Sequence, residues 1–554
     1  MAMSAWDVGE SERWTVMVQI RVVTLLGTKV SPRPTGLSLR DNLKNRQHEE
    51  KQMTVRGIPK TGASLACYET WDSIHWVLVE QQVRRLQMRI AKAIREGRRG
   101  KAKSLQWLLT HSFNAKLSAV KRVTQNRGCK TAGVDKMLLQ TPKRKMQAAQ
   151  SLKRSGYKAQ PLRRIYIPKK NGKQRPLGIP TIMDRAMQAL HLLALEPISE
   201  TTADKNSYGF RPKRSTADAI EQCFCVMRSG NRAQWVLEGD IKACFDRINH
   251  EWLLQHIPMD KTILKQWLAA GYIEKQVLVP TEEGTPQGGI ISPTLANMVL
   301  DGLEEAVYKA ASPWYLNKVH VVRYADDFVV TAGSKELLEN KIKPAIENFL
   351  KERGLELSSE KTKITHINVG FDFLGFNVRK YGNKLLIKPA KANIKAFMRE
   401  IREIIKTNIA SATTEVIRQL NPKIKGWAHY YKHVVSKRIF SKVDNDIYLV
   451  LKWWMCRRHP KKNSAWRQKK YFRSEGLRNW VFSAKFRNKS GELINFDLFK
   501  MKYLPIKRHV KIKMDATPYD PEYREYFEKR EQLKRYASCV HWVHSKTQHL
   551  VGVR

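Results

Sequence analysis

The chain has 554 residues, 42 % of them hydrophobic, which is enough to bury several cores and excludes a globally disordered protein. Lys and Arg number 101 against 51 Asp and Glu, a net charge of +50. An excess of that size repels itself unless a polyanion neutralises it, so nucleic-acid binding is favoured over a charge kept only for solubility.

Seven cysteines are scattered without a CxxC pair, which argues against a disulfide framework or a zinc site; Cys223 and Cys225 read as small apolar residues. Met1 to Trp14 is no secretory signal, and the apolar run Val16–Leu26 holds Gln19 and Arg21 and is too short to span a bilayer. The expectation is an intracellular protein, cytoplasmic or organellar, with no membrane partner.

Residues 1–60 lack sustained periodicity and contain Ser31-Pro32-Arg33-Pro34-Thr35-Gly36, so they read as a poorly ordered extension. Val83, Leu86, Ile90 and Ile94 then recur at helical spacing between cations. From there to about residue 380, short strands and helices alternate in an α+β pattern. Tyr166-Ile167-Pro168-Lys169 and Arg175-Pro176-Leu177-Gly178 flank the turn signal Asn171-Gly172. The hairpin carries Lys169 and Arg175 on opposing strands, where two cations can clamp a triphosphate. In Ser207-Tyr208-Gly209-Phe210-Arg211-Pro212, and at Arg214 just after it, the two arginines are candidates for a nucleic-acid backbone.

Two segments carry the chemistry. Trp235–Ile241 is an apolar strand ending in a carboxylate, Asp240, with Phe245-Asp246 shortly after. In Val319–Val330 two apolar strands flank Ala325-Asp326-Asp327, a hairpin whose tip would bring both acids beside Asp240. An isolated Asp-Asp is more commonly an ordinary turn, but acids at the tips of two buried strands weaken that reading. Three carboxylates at one sheet edge repel unless cations bind, and two Mg²⁺ ions suit oxygen ligands and in-line displacement at phosphate. Between these segments, Gly284-Thr285-Pro286-Gln287-Gly288-Gly289 is a turn that lets backbone approach a base pair, with Gln287 available for a polar contact.

Beyond Lys388 the pattern turns helical: Ile394, Phe397, Met398, Ile401, Ile404 and Ile405 share one face opposite cations. Residues 451–473 hold nine Lys or Arg, no acid, and Trp453, Trp454, Trp466, Tyr471 and Phe472. Interleaved rings and cations favour a surface for unpaired RNA.

Tyr324-Ala325-Asp326-Asp327 resembles the signature tetrad of reverse transcriptases, and Asp240 with Phe245 resembles their first metal-binding motif. Gly284–Gly289, followed by Ser292-Pro293 and Leu295-Ala296-Asn297, is similar to the form found in group II intron enzymes, as is the run Ser207–Pro212 with Arg214-Ser215-Thr216 and Asp218-Ala219. Gly354-Leu355, Glu360-Lys361-Thr362-Lys363 and Phe371–Phe376 resemble the last palm motifs, the final one being the primer grip. Gly426-Trp427-Ala428-His429-Tyr430-Tyr431 and Trp453-Trp454 with Arg457-Arg458 resemble the thumb and maturase region. In Gly133-Val134-Asp135 the family usually continues with Gly, where this chain has Lys136.

The resemblance covers about residues 70 to 530 and implies an α+β right-hand polymerase, fingers and palm, followed by an α-helical basic thumb/maturase domain. The implied divisions are an extension over 1–60, fingers and palm with their N-terminal extension over 70–385, thumb/maturase over 386–475, and a basic DNA-binding-like region and tail over 476–554. It implies an RNA-directed DNA polymerase that also binds its group II intron RNA for splicing and retrohoming by target-primed reverse transcription. Its partners would be intron RNA, a DNA target and primer, and deoxynucleotides. Asp240, Asp326 and Asp327 are then the catalytic triad with two Mg²⁺, Ile241 lending its backbone at the metal. Phe245 would lie under the incoming sugar and leave no room for a 2′-hydroxyl. Arg163, Arg211, Arg214, Trp427, Tyr431, Trp453, Arg457 and Arg458 are the implied nucleic-acid contacts. After Tyr536 only Cys539, His541, His544 and His549 stand where longer relatives carry an HNH endonuclease, so that domain is expected to be absent. Rival readings are a splicing factor with a dead polymerase site, which has no use for the acids, and a reverse transcriptase without an intron.

Overall fold

The computed structural model describes residues 70–533 apart from 169–171, 173, 229–232, 275–276, 286–287, 476–477 and 488–490. The extension expected over 1–60, Lys169, Gln287 and the Cys539–His549 tail lie outside the described residues.

Four helices open the described chain: α1 (Trp76–Arg95), α2 (Arg99–His111), α3 (Phe113–Gln125) and α4 (Pro142–Ser151). The helical spacing in α1 puts Val83 and Ile90 on its buried side with Val79 and Ala91, while its cations face out. Thr141 caps α4, accepting from the amide of Arg144, and Pro142 occupies the first turn.

β1 (Leu162–Pro168) and β2 (Gln174–Ile179) form the expected antiparallel hairpin, with Ile167 opposite Arg175. Two further strands, numbered β4 (Tyr272–Glu274) and β5 (Val277–Val279) by chain order, extend this sheet as β2-β1-β4-β5. Helix α5 (Ile182–Thr202) is buried along most of its length and packs against α1, α2 and α3.

The palm sheet has the order β6-β7-β3-β8, from β3 (Trp235–Asp240), β6 (His320–Tyr324), β7 (Asp327–Ala332) and β8 (Lys363–His366). Val236, Leu237, Val322, Val329 and Val330 are buried, so its middle is held by β-branched and aliphatic packing on both faces. Helix α6 (Thr216–Met227) lies against β6.

A separate three-stranded sheet, β9 (Phe371–Phe373), β10 (Phe376–Tyr381) and β11 (Lys384–Pro389), leads into the thumb helices. With α7 (Ser292–Leu300) in the palm, those are α8 (Lys391–Thr407), α9 (Thr413–Tyr431) and α10 (Lys437–Arg458). Phe397, Met398, Ile401 and Ile405 of α8 are buried, as the periodicity predicts.

The helical run ends with α11 (Ser464–Tyr471), and a sheet of β12 (Phe472–Glu475), β13 (Arg478–Arg487) and β14 (Leu493–Asp497) follows. From Leu498 the chain returns to the palm as a strap. The amides of Met501 and Lys502 donate to Asp444 on α10. Farther along, Arg508 pairs with Glu221 on α6. The Asp218 carboxylate, 1 % exposed, receives His509 Nε2 at 2.8 Å, the Ile512 amide at 2.8 Å and Arg530 Nη2 at 2.9 Å. Tyr519 bonds Glu196 on α5, and Asp520 pairs with Arg95 on α1. The strap therefore ties thumb, palm and N-terminal helices together, with Arg508 and Arg530 holding protein acids.

Candidate active site

Asp240 ends β3 directly opposite Asp327, the first residue of β7, and Asp326 occupies the β6–β7 turn. The turn closes because Ala325 takes a left-handed conformation, φ 57°. Behind it, Gly209 comes so close that a Cβ there would lie 2.4 Å from the Ala325 nitrogen, so only glycine fits. Tyr208 N donates to Arg323 O at 2.9 Å, and Asn297 Nδ2 on α7 donates to Gly209 O at 2.8 Å. Arg323, 1 % exposed, reaches Asn297 Oδ1 at 3.3 Å and Asp301 Oδ1 at 2.5 Å. The motifs around Ser207–Arg211 and Leu295–Asn297 thus build a rigid bed under the acidic hairpin.

Two of the acids carry raised pKa values. Asp327 lies well above the usual carboxylate range, through burial first and then the charges of Asp326 and Asp240. Asp326 is raised by burial and by Asp240, with Arg175 and Lys361 opposing. Arg175 thereby stands within electrostatic reach of Asp326. Lys361 Nζ meets Asp240 Oδ2 at 2.7 Å; burial pulls its pKa down, but Asp240, then Asp327 and Asp326, raise it on balance.

Lys361 lies in the Glu360–Lys363 motif, which by itself does not tie it to the acids; only strand register brings its ammonium onto Asp240. Glu238, two residues before Asp240 on the same sheet face, also went unassigned. It accepts from Thr365 Oγ1 at 3.3 Å and from the Asp372 amide of the neighbouring sheet, and burial pushes its carboxyl up to about 7.

Among the described residues no three His, Cys, Asp or Glu side chains are arranged to hold a metal ion as they stand. The donor chemistry nevertheless fits one. Three carboxylates on adjoining backbone positions, two with raised pKa, lack enough positive charge, and Lys361 supplies only part of it. Ile241 is buried and bridges Leu357, yet the hydrogen bonds of that bridge come from Asp240 O and Lys242 N rather than from Ile241. Phe245 is partly buried, its carbonyl accepting from Thr285 N at 2.6 Å and its ring edge-on to Phe210.

Several expected nucleic-acid contacts are otherwise engaged. Arg211 is buried and bidentate to Glu200 at 2.9 and 3.0 Å; a polyanion would have to displace that buried pair. Arg214 is 8 % exposed and donates to the carbonyls of Lys205 and Met514. Trp427 stacks on Phe397 with centroids 4.8 Å apart, and Tyr431 is 1 % exposed, so both belong to the thumb core. Arg458 donates to the carbonyls of Ile409 and Ser411, and Trp454 and Tyr471 are buried. Arg163 is half-buried on β1. Trp453, 38 % exposed under the Arg457 guanidinium at 5.3 Å, remains available, as does Trp466 with Lys470 at 4.7 Å.

Residues 167–378 match the family model for reverse transcriptase (RNA-dependent DNA polymerase), 71–152 the N-terminal domain of reverse transcriptase, and 394–472 the group II intron maturase-specific domain. Protein YkfC of Escherichia coli is 35 % identical over 47 % of this chain and 79 % of its own length. Group II intron-encoded protein LtrA of Lactococcus lactis is 32 % identical over 52 % of this chain and 56 % of its own. The chain belongs to the group II intron reverse transcriptases. An uncharacterized 91 kDa protein in the cob intron of Schizosaccharomyces pombe is 28 % identical over 63 % of this chain and 53 % of its own length, so the chain spans little more than half of these last two relatives. A group II intron reverse transcriptase carries RNA-directed DNA polymerase chemistry that depends on divalent metal, and a maturase domain that binds RNA. No helix among the described residues is long and apolar enough to cross a membrane.

Proposed function

We propose that this chain copies RNA into DNA at the Asp240–Asp326–Asp327 site and binds the RNA of its own intron through the thumb, serving splicing and retrohoming by target-primed reverse transcription. The observation that carries the polymerase reading is the register of Asp240 against Asp327, with Asp326 in the turn and both Arg175 and Lys361 acting on it. The reaction is attack of a primer 3′-hydroxyl on the α-phosphate of a deoxynucleotide: one phosphodiester bond forms, the bond to pyrophosphate breaks, and the hydroxyl proton passes to solvent.

Asp240, Asp326 and Asp327 would hold two Mg²⁺, which when bound supply charge neutralisation at the attacking and leaving oxygens. Arg175, with Lys169, orients the triphosphate. Phe245 lies under the sugar and excludes a 2′-hydroxyl. Lys361 holds Asp240 from the opposite side and keeps a proton close to the acids. Trp453 and Arg457 offer a ring and a cation to unpaired bases and phosphates of intron RNA.

Extension of a DNA primer on an RNA template, with and without Mg²⁺, tests this reading. Metal-dependent incorporation of deoxynucleotides is expected. RNA binding without any incorporation would leave the splicing-factor reading.

A further inference from the structure

Phe210 is an outlier with a location that gives it meaning. Its φ is 56°, a conformation in which a bulky L-residue is strained. It is also 40 % exposed.

The segments on both sides force it. Before it, Tyr208 is pinned to Arg323 and Gly209 to Asn297. After it, the Arg211 guanidinium is locked on Glu200 and donates to the carbonyls of Asp204 and Ser207. Between two fixed anchors the chain has to turn, and the turn throws one aromatic ring outward. That ring lands edge-on to Phe245, with centroids 6.4 Å apart and planes at 78°. Edge-to-face geometry fixes the angle of one ring against another, and Phe245 lies only five residues beyond Asp240.

We propose that Phe210 is a specificity-determining residue: it buttresses Phe245 and sets how closely that ring approaches the sugar of the incoming nucleotide. The inference rests on Phe245 being the sugar gate. A gate excludes a 2′-hydroxyl only if its ring cannot retreat, and a strained, doubly anchored neighbour is a stop against retreat. The ring of Phe210 need not touch substrate, and the rate with deoxynucleotides should be largely independent of it.

The test is single-nucleotide primer extension by the full chain, with dNTP and rNTP compared by kcat/KM. Phe210→Asn removes the ring while tolerating the left-handed backbone, so it guards against a variant that fails to fold. Phe210→Tyr keeps the ring. Phe245→Val reports on the gate itself. Discrimination against ribonucleotides should fall about three- to tenfold in Phe210→Asn, the worth of one edge-to-face pair, with dNTP kcat within about twofold of wild type. Phe210→Tyr should restore discrimination. If Phe245→Val loosens discrimination and Phe210→Asn does not, the buttress is refuted and the gate stands. If neither variant changes it, both ideas fail. Equal losses for dNTP and rNTP in Phe210→Asn would make Phe210 a structural residue and also overturn the proposal.

Discussion

Tyr431, at the end of thumb helix α9, donates its hydroxyl proton to the carbonyl of Gly375, 3.1 Å away in the β9–β10 turn. Its neighbour Tyr430 does the same to Leu374 O at 2.9 Å. The turn needs both left-handed residues, Leu374 at φ 48° and Gly375 at φ 80°, and a Cβ on Gly375 would lie 2.3 Å from Asn393 Nδ2. Two thumb hydroxyls thus fix the shape of the segment that resembles a primer grip.

Removing them should loosen that grip. Each of Tyr430→Phe and Tyr431→Phe is expected to cost about 1 kcal/mol of stability, the net worth of one such bond. The double variant should make shorter products on a long template while adding the first nucleotide at a near-normal rate. Product lengths under single-encounter conditions check this.

The strap predicts a pH signature. Burial pushes the Asp218 carboxyl up, but the hydrogen bond and charge of His509, then Ser215 and Arg530, bring it down to about 2, below its ordinary 3.8. A depressed folded pKa stabilises above the unfolded value and ceases to do so as pH falls through the folded one. Asp218 therefore contributes about 2 kcal/mol above pH ~4, lost between pH ~4 and ~2. Denaturant midpoints of wild type and Asp218→Asn should differ at pH 5 and converge towards pH ~2. Protease should also cut residues 498–533 of the variant sooner.

Lys136 stands at φ 54° on the surface, where the family usually has Gly. A left-handed Lys costs about 1 kcal/mol, partly offset by the greater unfolded-state freedom of Gly. Lys136→Gly should leave the melting temperature equal or slightly raised, whereas Lys136→Val should lower it by several degrees. Thermal melts decide.

The thumb separates surface from core. Trp453→Ala should weaken intron RNA binding by about 1 kcal/mol or more without changing the melting temperature, and Arg457→Gln should reduce the salt slope by about one. Trp427→Ala should instead lower the melting temperature, because that ring fills the space between Phe397, Tyr431 and Phe440. Filter binding at several salt concentrations beside calorimetry distinguishes the two.

These contrasts show what the chain order makes legible. Strand-ending acids after continuous apolar runs announce Asp240, Asp326 and Asp327, and the last two are fixed locally, because the pairing of the short β6–β7 hairpin follows from its turn. Asn171-Gly172 announces the β1–β2 hairpin for the same reason. What stays hidden is long-range pairing of charge. Arg211 looks like a surface cation until Glu200 is found beside it, and nothing local shows that Arg508 and Arg530 of the strap pair with acids of α6. Tryptophans one residue apart read alike, yet helix geometry turns Trp453 to solvent and Trp454 to the core. Lys361 is hidden in the same way, because only the long-range β3–β8 register carries it to Asp240.

The most direct test of the account replaces Asp326 and Asp327 together by Asn, isosteric side chains that keep the hairpin and remove its charge. Primer extension and intron RNA binding are measured on the same preparation. Extension should be lost while RNA affinity and melting temperature stay close to wild type. Extension that survives in the double variant would contradict this and move the active site elsewhere in the molecule.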